Sequence, residues 1–397
     1  MKKTAVIYDK WLHQFGGAEL VACTIADILK KECWDVTFIG GKYIHLHKIR
    51  DKFGIDLNNV QFYEVWNHEN HLKKMVEGKD LFINLSFMDY SYGYAKKNIY
   101  YTHFPTPLRS TLFNLCLDFF HITGSHILFP THLRERIYNR IRAGIYFDMK
   151  KRLDSYDTIL ANSQFTKKWI KNYWNKESKV LYPPVTIDSK TNTVNSITNP
   201  TSLKLRGARQ NWIVSVGRFF TLGHGKKQEV MIEAFKKLIA SVKEGWELHL
   251  VGGVGNEPSS LRFVEHLKKQ AKGYPIFFHF NISHSEVLEI LKKSKIYWHA
   301  TGHDEDENTN PLAFEHFGIA AVEGILSGCH PILYKGGGLP EILGKFNLLD
   351  DLHTFTGVTQ LIKNTHILMK KAPIQHVSNP FSDKEFRSHF LTLCTKT

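Results

Sequence analysis

KIYWHAT (295–301), EHFGIAAVEGILSG (315–328) and HPILYKG (330–336) are the stretches on which the fold turns. The first and third are apolar runs of strand length. The middle one is a loop that passes into a helix. Strand, helix, strand in that order places two parallel neighbours in one sheet. The same alternation runs outward towards the N-terminus. NWIVSVGRF (211–219) reads as strand and loop, QEVMIEAFKKLIASV (228–242) as helix and WELHLVGG (246–253) as strand. PSSLRFVEHLKKQAK (258–272) is a helix, PIFFHFN (275–281) a strand and SHSEVLEILKKS (283–294) a helix. Ser283 and Glu286 have the spacing of a capping box.

A first copy of the pattern precedes this one. TAVIYD (4–9), DVTFIG (35–40), DLFINLS (80–86), NIYYTHF (98–104) and DTILANS (157–163) read as strands. AELVACTIADILKK (18–31) and SQFTKKWIKNYW (163–174) read as helices, and 108–155 is helix-prone. Between the copies, 183–209 is rich in Pro, Ser, Thr and Asn and reads as a linker. The expected organisation is an N-terminal Rossmann-like domain over 1–185 and a second over 186–375. A last helix over 376–397 is expected to pack back on the first domain. Two α/β units joined this way make the cleft between them the natural ligand site.

Bulk properties narrow the class. The 397 residues are 43% apolar and 23% charged, ordinary for a globular protein. No apolar run is long enough to span a bilayer, and MKKTAVIYDKW reads as a first strand rather than a signal peptide. Cys23, Cys33, Cys116, Cys329 and Cys394 are scattered without a C-x-x-C, which argues for a reducing cytoplasm and against a zinc site or disulfide framework. The net charge of +14 suits phosphorylated ligands, anionic membrane or nucleic acid. The densest basic patch is Arg134, Arg136, Arg140, Arg142, Lys150, Lys151 and Arg152, opposed only by Glu135 and Asp148. With the Phe- and Leu-rich run before it, 108–150 suits either an interfacial segment on anionic lipid or an ordinary core helix beside a solvated one.

Glu315 and Glu323 flank the turn Phe317-Gly318-Ile319, where a helix begins. Carboxylates accept from sugar hydroxyls, and free N–H groups at a helix N-terminus suit phosphate. Gly318 lets a ligand approach the backbone. Hydroxyl, phosphate, hydroxyl is the outline of a nucleotide sugar, although Glu near a helix start also simply answers the dipole. Arg218 lies past one strand, with Lys226 and Lys227 before the next helix, a set suited to a leaving diphosphate. Gly16 and Gly17 follow the first strand and serve either a phosphate or a tight turn. His103 ends a strand before a Pro-stiffened loop and is undecided by itself. HDEDEN (303–308) has a D-x-D spacing but reads better as a solvated loop, and Glu341 of GGGLPEI (336–342) reads as structural.

In order along the chain these motifs resemble the retaining glycosyltransferase family 4, which has the GT-B fold: two Rossmann-like domains facing each other across a cleft. The resemblance runs from the Gly-Gly turn through ILANSQFTKKWI, VLYPPV, SVGRF and EHFGIAAVEG to GGGLPEI. YTHFPT (101–106) is also similar to a stretch of the dolichol-linked α-1,2-mannosyltransferases. The resemblance implies Glu315 on the donor sugar, backbone N–H groups of Phe317, Gly318 and Ile319 on sugar and phosphate, and Glu323 on the ribose. It puts Arg218 and a lysine on the diphosphate, Gly16 and Gly17 along the cleft, and His103 beside the reacting sugar. The lysines sit at 226 and 227 where many members have one near His224; Lys226 is favoured. No cofactor and no metal are expected. The implied partners are a nucleotide sugar, with GDP-mannose favoured, and a glycan or lipid-linked acceptor at a membrane face. A GT-B epimerase or phosphorylase is the rival reading. A basic nucleic-acid binder using KKWIKNYWNK (167–176) is the other.

Overall fold

A computed structural model describes the chain except for residues 1, 66–67, 90, 108–148, 188–208, 221–224, 243–244, 376 and 396–397. Most of the basic patch, the 108–150 segment up to 148, most of the linker, and His224 therefore lie outside the described residues.

The N-terminal half is a seven-stranded parallel sheet. Its elements are β1 (Thr4–Asp9), α1 (Gly17–Lys31), β2 (Asp35–Gly40), α2 (Leu46–Phe53), β3 (Gln61–Glu64), α3 (His68–Val76), β4 (Leu81–Asn84) and β5 (Lys97–Thr102). They continue with α4 (Met149–Asp154), β6 (Thr158–Ala161), α5 (Gln164–Trp174) and β7 (Lys179–Val180). The order is β3-β2-β1-β4-β5-β6-β7. β1 is central, and five of its six residues are buried, as a strand covered on both faces requires.

The C-terminal half builds a six-stranded parallel sheet. It runs β8 (Trp212–Val216), α6 (Gln228–Ile239), β9 (Glu247–Gly252), α7 (Pro258–Ala271), β10 (Ile276–Phe280), α8 (His284–Lys293) and β11 (Ile296–His299). Then come α9 (Ile319–Leu326), β12 (His330–Tyr334), α10 (Leu339–Lys345), β13 (Thr354–Phe355), α11 (Val358–Leu368) and α12 (Asp383–Thr395). The order is β10-β9-β8-β11-β12-β13. Ser283 does cap α8: its N–H donates to Glu286 Oε2 at 2.8 Å and its hydroxyl accepts from Glu286 N–H at 3.3 Å.

In both sheets the strand order reverses beside the first strand, at β1/β4 and at β8/β11. Such switch points open a crevice at the carboxyl ends of the strands. The halves touch there. A Cβ added to Gly17 would lie 2.6 Å from Ile319 Cδ1, so the first turn of α1 meets the first turn of α9. Phe104, Phe165 and Trp169 of the first half form one apolar cluster with Phe314 of the second. Glu341 accepts from Gln164 N–H at 2.8 Å and from Tyr182 O–H at 3.1 Å, capping α5 from across the cleft. The last helix returns to the first half, where Phe386 and Phe390 join the cluster of Ile25, Ile28 and Leu29. Among the described residues no helix is long and apolar enough to cross a membrane.

Candidate active site

Glu315 ends the loop between β11 and α9. Its Oε2 lies 2.5 Å from Lys226 Nζ and 2.6 Å from His299 Nε2. Lys226 stands on the loop before α6, so this contact joins the two segments the sequence singled out. Both side chains of the ion pair are close to nine-tenths buried, where a charge is kept only if it is paired. A Cβ at Gly217 would sit 2.5 Å from Lys226 Cγ; the bare backbone there gives the lysine stem room to reach Glu315.

The glycines at 337 and 338 hold this loop from below. Gly338 N–H donates to Glu315 O at 2.7 Å. A Cβ at Gly337 would lie 2.5 Å from Glu315 O, and one at Gly338 would press on the carbonyl of His316. The Gly-rich loop is therefore a seat for 315–317. Gly318 has φ +107°, a conformation that favours glycine, and turns the chain into α9. The N–H groups of Phe317, Gly318 and Ile319 have no protein acceptor among the described residues. They sit at a helix N-terminus, the setting that suits an anion.

Glu323 lies one turn into α9, buried, with Oε1 2.7 Å from His284 Nε2. That hydrogen bond pushes the His284 pKa above the ordinary histidine value. Across the cleft, Gly16 N–H donates to Glu19 Oε2 at 2.6 Å, which fixes the Gly-Gly turn as the start of α1. Burial raises the Glu19 and Asp9 pKa values, and Arg218 of the second half counters the rise at Glu19. The Arg218 guanidinium stacks on Phe220, 5.2 Å from the ring centre. His103 follows β5, with Nε2 3.1 Å from Leu85 O. Burial lowers its pKa to about 4, so the ring is neutral near pH 7.

Lys227 turns the other way, with Nζ 2.7 Å from Glu305 Oε1. The acidic loop spends its carboxylates on protein partners: Glu305 on Lys227, Glu307 on Lys168, and Asp306 on its own turn at Asn308 and Thr309. Among the described residues no group of three His, Cys, Asp or Glu is arranged to hold a metal ion. Phe165, Trp169 and Trp174 of α5 are buried, which removes them as a stacking surface for bases. Three neighbours of the site escaped the sequence reading: His299, His284 and Glu19. For His299 the signal was present as alternation, since Tyr297 and His299 share one strand face.

The two facing parallel sheets make the GT-B fold, and within the second half residues 204–364 match the family described as Glycosyl transferases group 1. Among individual proteins, the chain is similar to the alpha-1,3/1,6-mannosyltransferase ALG2 of Candida glabrata, 26% identical over 61% of this chain. That match spans 58% of the Candida protein's length. The ALG2 of Dictyostelium discoideum is 25% identical over 76% of this chain and 70% of its own. Of solved structures, a glycosyltransferase from Rickettsia africae superposes with a TM-score of 0.62 at 14% identity, all of both chains covered. HepE of Anabaena, solved with UDP and glucose, has a TM-score of 0.60 at 14% identity over the same full coverage.

Proposed function

We propose that the chain moves a hexose, with mannose favoured, from a nucleotide-diphosphate sugar to a glycan or lipid-linked acceptor with retention at the anomeric carbon. The observation that carries this is the meeting of Lys226 and His299 on Glu315, beside the open N–H groups of 317–319. In this reading Glu315 holds the transferred sugar and the N–H groups take sugar and phosphate. Glu323 holds the ribose, and Arg218 and Lys226 take the diphosphate. The acceptor hydroxyl attacks from the face that the diphosphate leaves, and its proton passes to the departing phosphate oxygen. Fixed cations at that oxygen stabilise the developing charge. Gly16 and Gly17 bring backbone to the same space from the other half, and His103 offers a neutral ring near the reacting sugar. Mannose is favoured by the YTHFPT stretch and by the names of the two curated relatives. A lipid-linked acceptor would place the enzyme at the inner face of a membrane.

Turnover of GDP-mannose, UDP-glucose and related donors, with NMR of the product anomer, tests this. Glu315→Gln is expected to keep nucleoside diphosphate binding and lose about 10²–10³ in kcat. A diphosphate at a hundred times its Kd should add about 2.7 kcal/mol of stability. The reading fails if no nucleoside diphosphate or nucleotide sugar shifts the melting temperature. An inverted product would remove the retaining part alone.

A further inference from the structure

Glu315 Oε2 is shared by two donors of different character. Lys226 brings a flexible, charged ammonium at 2.5 Å. His299 brings a ring nitrogen at 2.6 Å, fixed on the last residue of β11. If the diphosphate draws Lys226 away, as the proposed function requires, Glu315 loses its charged partner at the moment it must hold the sugar. His299, held by its strand, stays on the carboxylate.

We infer that His299 is a positioning residue: its Nε2–H keeps the Glu315 carboxylate aimed at the transferred sugar after Lys226 has moved to the diphosphate. The geometry fixes the direction of the relay. A nitrogen 2.6 Å from a carboxylate oxygen must carry the proton. A neutral imidazole has a single N–H, so Nδ1 accepts. The Tyr297 hydroxyl, 3.1 Å from Nδ1, is then the donor to it. Tyr297 is fully buried and its pKa is raised by that burial, which keeps the hydroxyl protonated. Burial also holds the His299 pKa below the ordinary value. Thr301 Oγ1, 2.9 Å from Nε2, accepts a lesser share of the same N–H, whose shorter contact is to the carboxylate. A neutral ring is what this position needs. A second permanent cation would compete with the sugar for the carboxylate, whereas a neutral donor orients it.

The inference rests on Glu315 being the sugar ligand, so its test separates the two. Calorimetry of wild type, His299→Leu, His299→Gln and Tyr297→Phe would use free GDP and GDP-mannose, or the base and sugar that wild type turns over. For His299→Leu the losses in nucleotide-sugar affinity and in kcat should together come to about ten- to a hundredfold, the worth of a hydrogen bond to a charged group. Affinity for the free diphosphate should stay within about threefold. His299→Gln, which restores an N–H near the same point, should recover most of the loss. Tyr297→Phe should produce a smaller loss of the same kind. Equal loss of both ligands in His299→Leu, or no recovery in folded His299→Gln, would overturn the positioning role. The ¹⁵N shifts of the imidazole give a readout independent of turnover: the Nε2-protonated tautomer is expected in wild type, and the Nδ1-protonated form would overturn the relay. Should wild type bind no nucleotide sugar while the Nε2 tautomer is present, the proposed function has failed and not the relay.

Discussion

Two neighbouring lysines, Lys226 and Lys227, carry the same charge into one loop and end in different places. Lys226 pairs with Glu315 in a nearly enclosed setting, while Lys227 pairs with Glu305 on the acidic loop. Lys226→Ala is therefore expected to cost about 10²–10³ in kcat/KM, the scale of one transition-state donor. Lys227→Ala removes an ion pair whose side chains are 21% and 26% exposed; solvent still reaches it, so a stability change of about 1 kcal/mol is expected and turnover should change only a few-fold. Equal losses in the two variants would contradict the assignment. His284 adds a pH dependence. Its pKa is raised by Glu323, so the stabilisation is complete below the ordinary value of 6.5 and is lost as pH rises through the raised one. The melting-temperature gap between wild type and His284→Gln should shrink from about pH 6 to pH 8.5. A gap constant over that range would show that the Glu323 contact contributes nothing. The two glutamates thus answer to different bases: Glu315 to a lysine and a neutral histidine, Glu323 to a histidine that charges.

At the level of elements, the strand and helix alternation was readable because each strand is a short buried run and each helix has one apolar face. Ser283 and Glu286 announced the start of α8 in the same way. The loops were less readable, because a glycine's reason lies in what comes near it. Gly337 and Gly338 show in sequence only as part of a Gly-rich loop after a strand; they serve as the floor under Glu315 and His316. Glu341 was legible as structural, but its partner, the N-terminus of α5, is 177 residues away in the chain and no local pattern points to it. His299 is the same case: its strand was plain, and its carboxylate partner is set by tertiary packing. The glycine floor can be tested. Gly338 has φ −83°, so alanine there meets no backbone strain; its Cβ would meet the His316 carbonyl, with the carbon at 2.9 Å and the oxygen nearer still. Gly338→Ala should displace 315–317, lower stability by about 1–3 kcal/mol and depress kcat/KM. Gly17→Ala meets only the tip of Ile319, which can rotate, and should be milder in chemical denaturation. The reverse ranking would show that the Gly-rich loop does not support the site.

For the whole molecule, the chain crosses between its halves at least twice. Val185 N–H donates to Phe381 O at 2.7 Å, so the segment leaving the first half lies beside the segment returning to it. Phe381 packs with Phe317 and Phe346 in the second half, while Phe386 and Phe390, a few residues on, pack in the first. The last helix thus belongs to the second half in sequence and to the first in packing. Its polar ties are Arg387 to Glu32 at 2.5 Å and Lys97 Nζ to Cys394 O at 2.8 Å. The arginine pair is exposed and contributes little; the phenylalanines carry the attachment. Phe390 is fully buried, and truncating such a ring costs about 3–5 kcal/mol. Phe390→Ala should therefore speed amide hydrogen exchange in α12, α1 and β2 and leave β8, β9 and β11 near their wild-type rates. Since the substrate cleft is shared by both halves, kcat/KM should fall with the population of the loosened first half, while nucleoside diphosphate binding to the second half persists. Faster exchange spread evenly over both sheets would mean that the halves unfold as one unit and that α12 is not a local clasp.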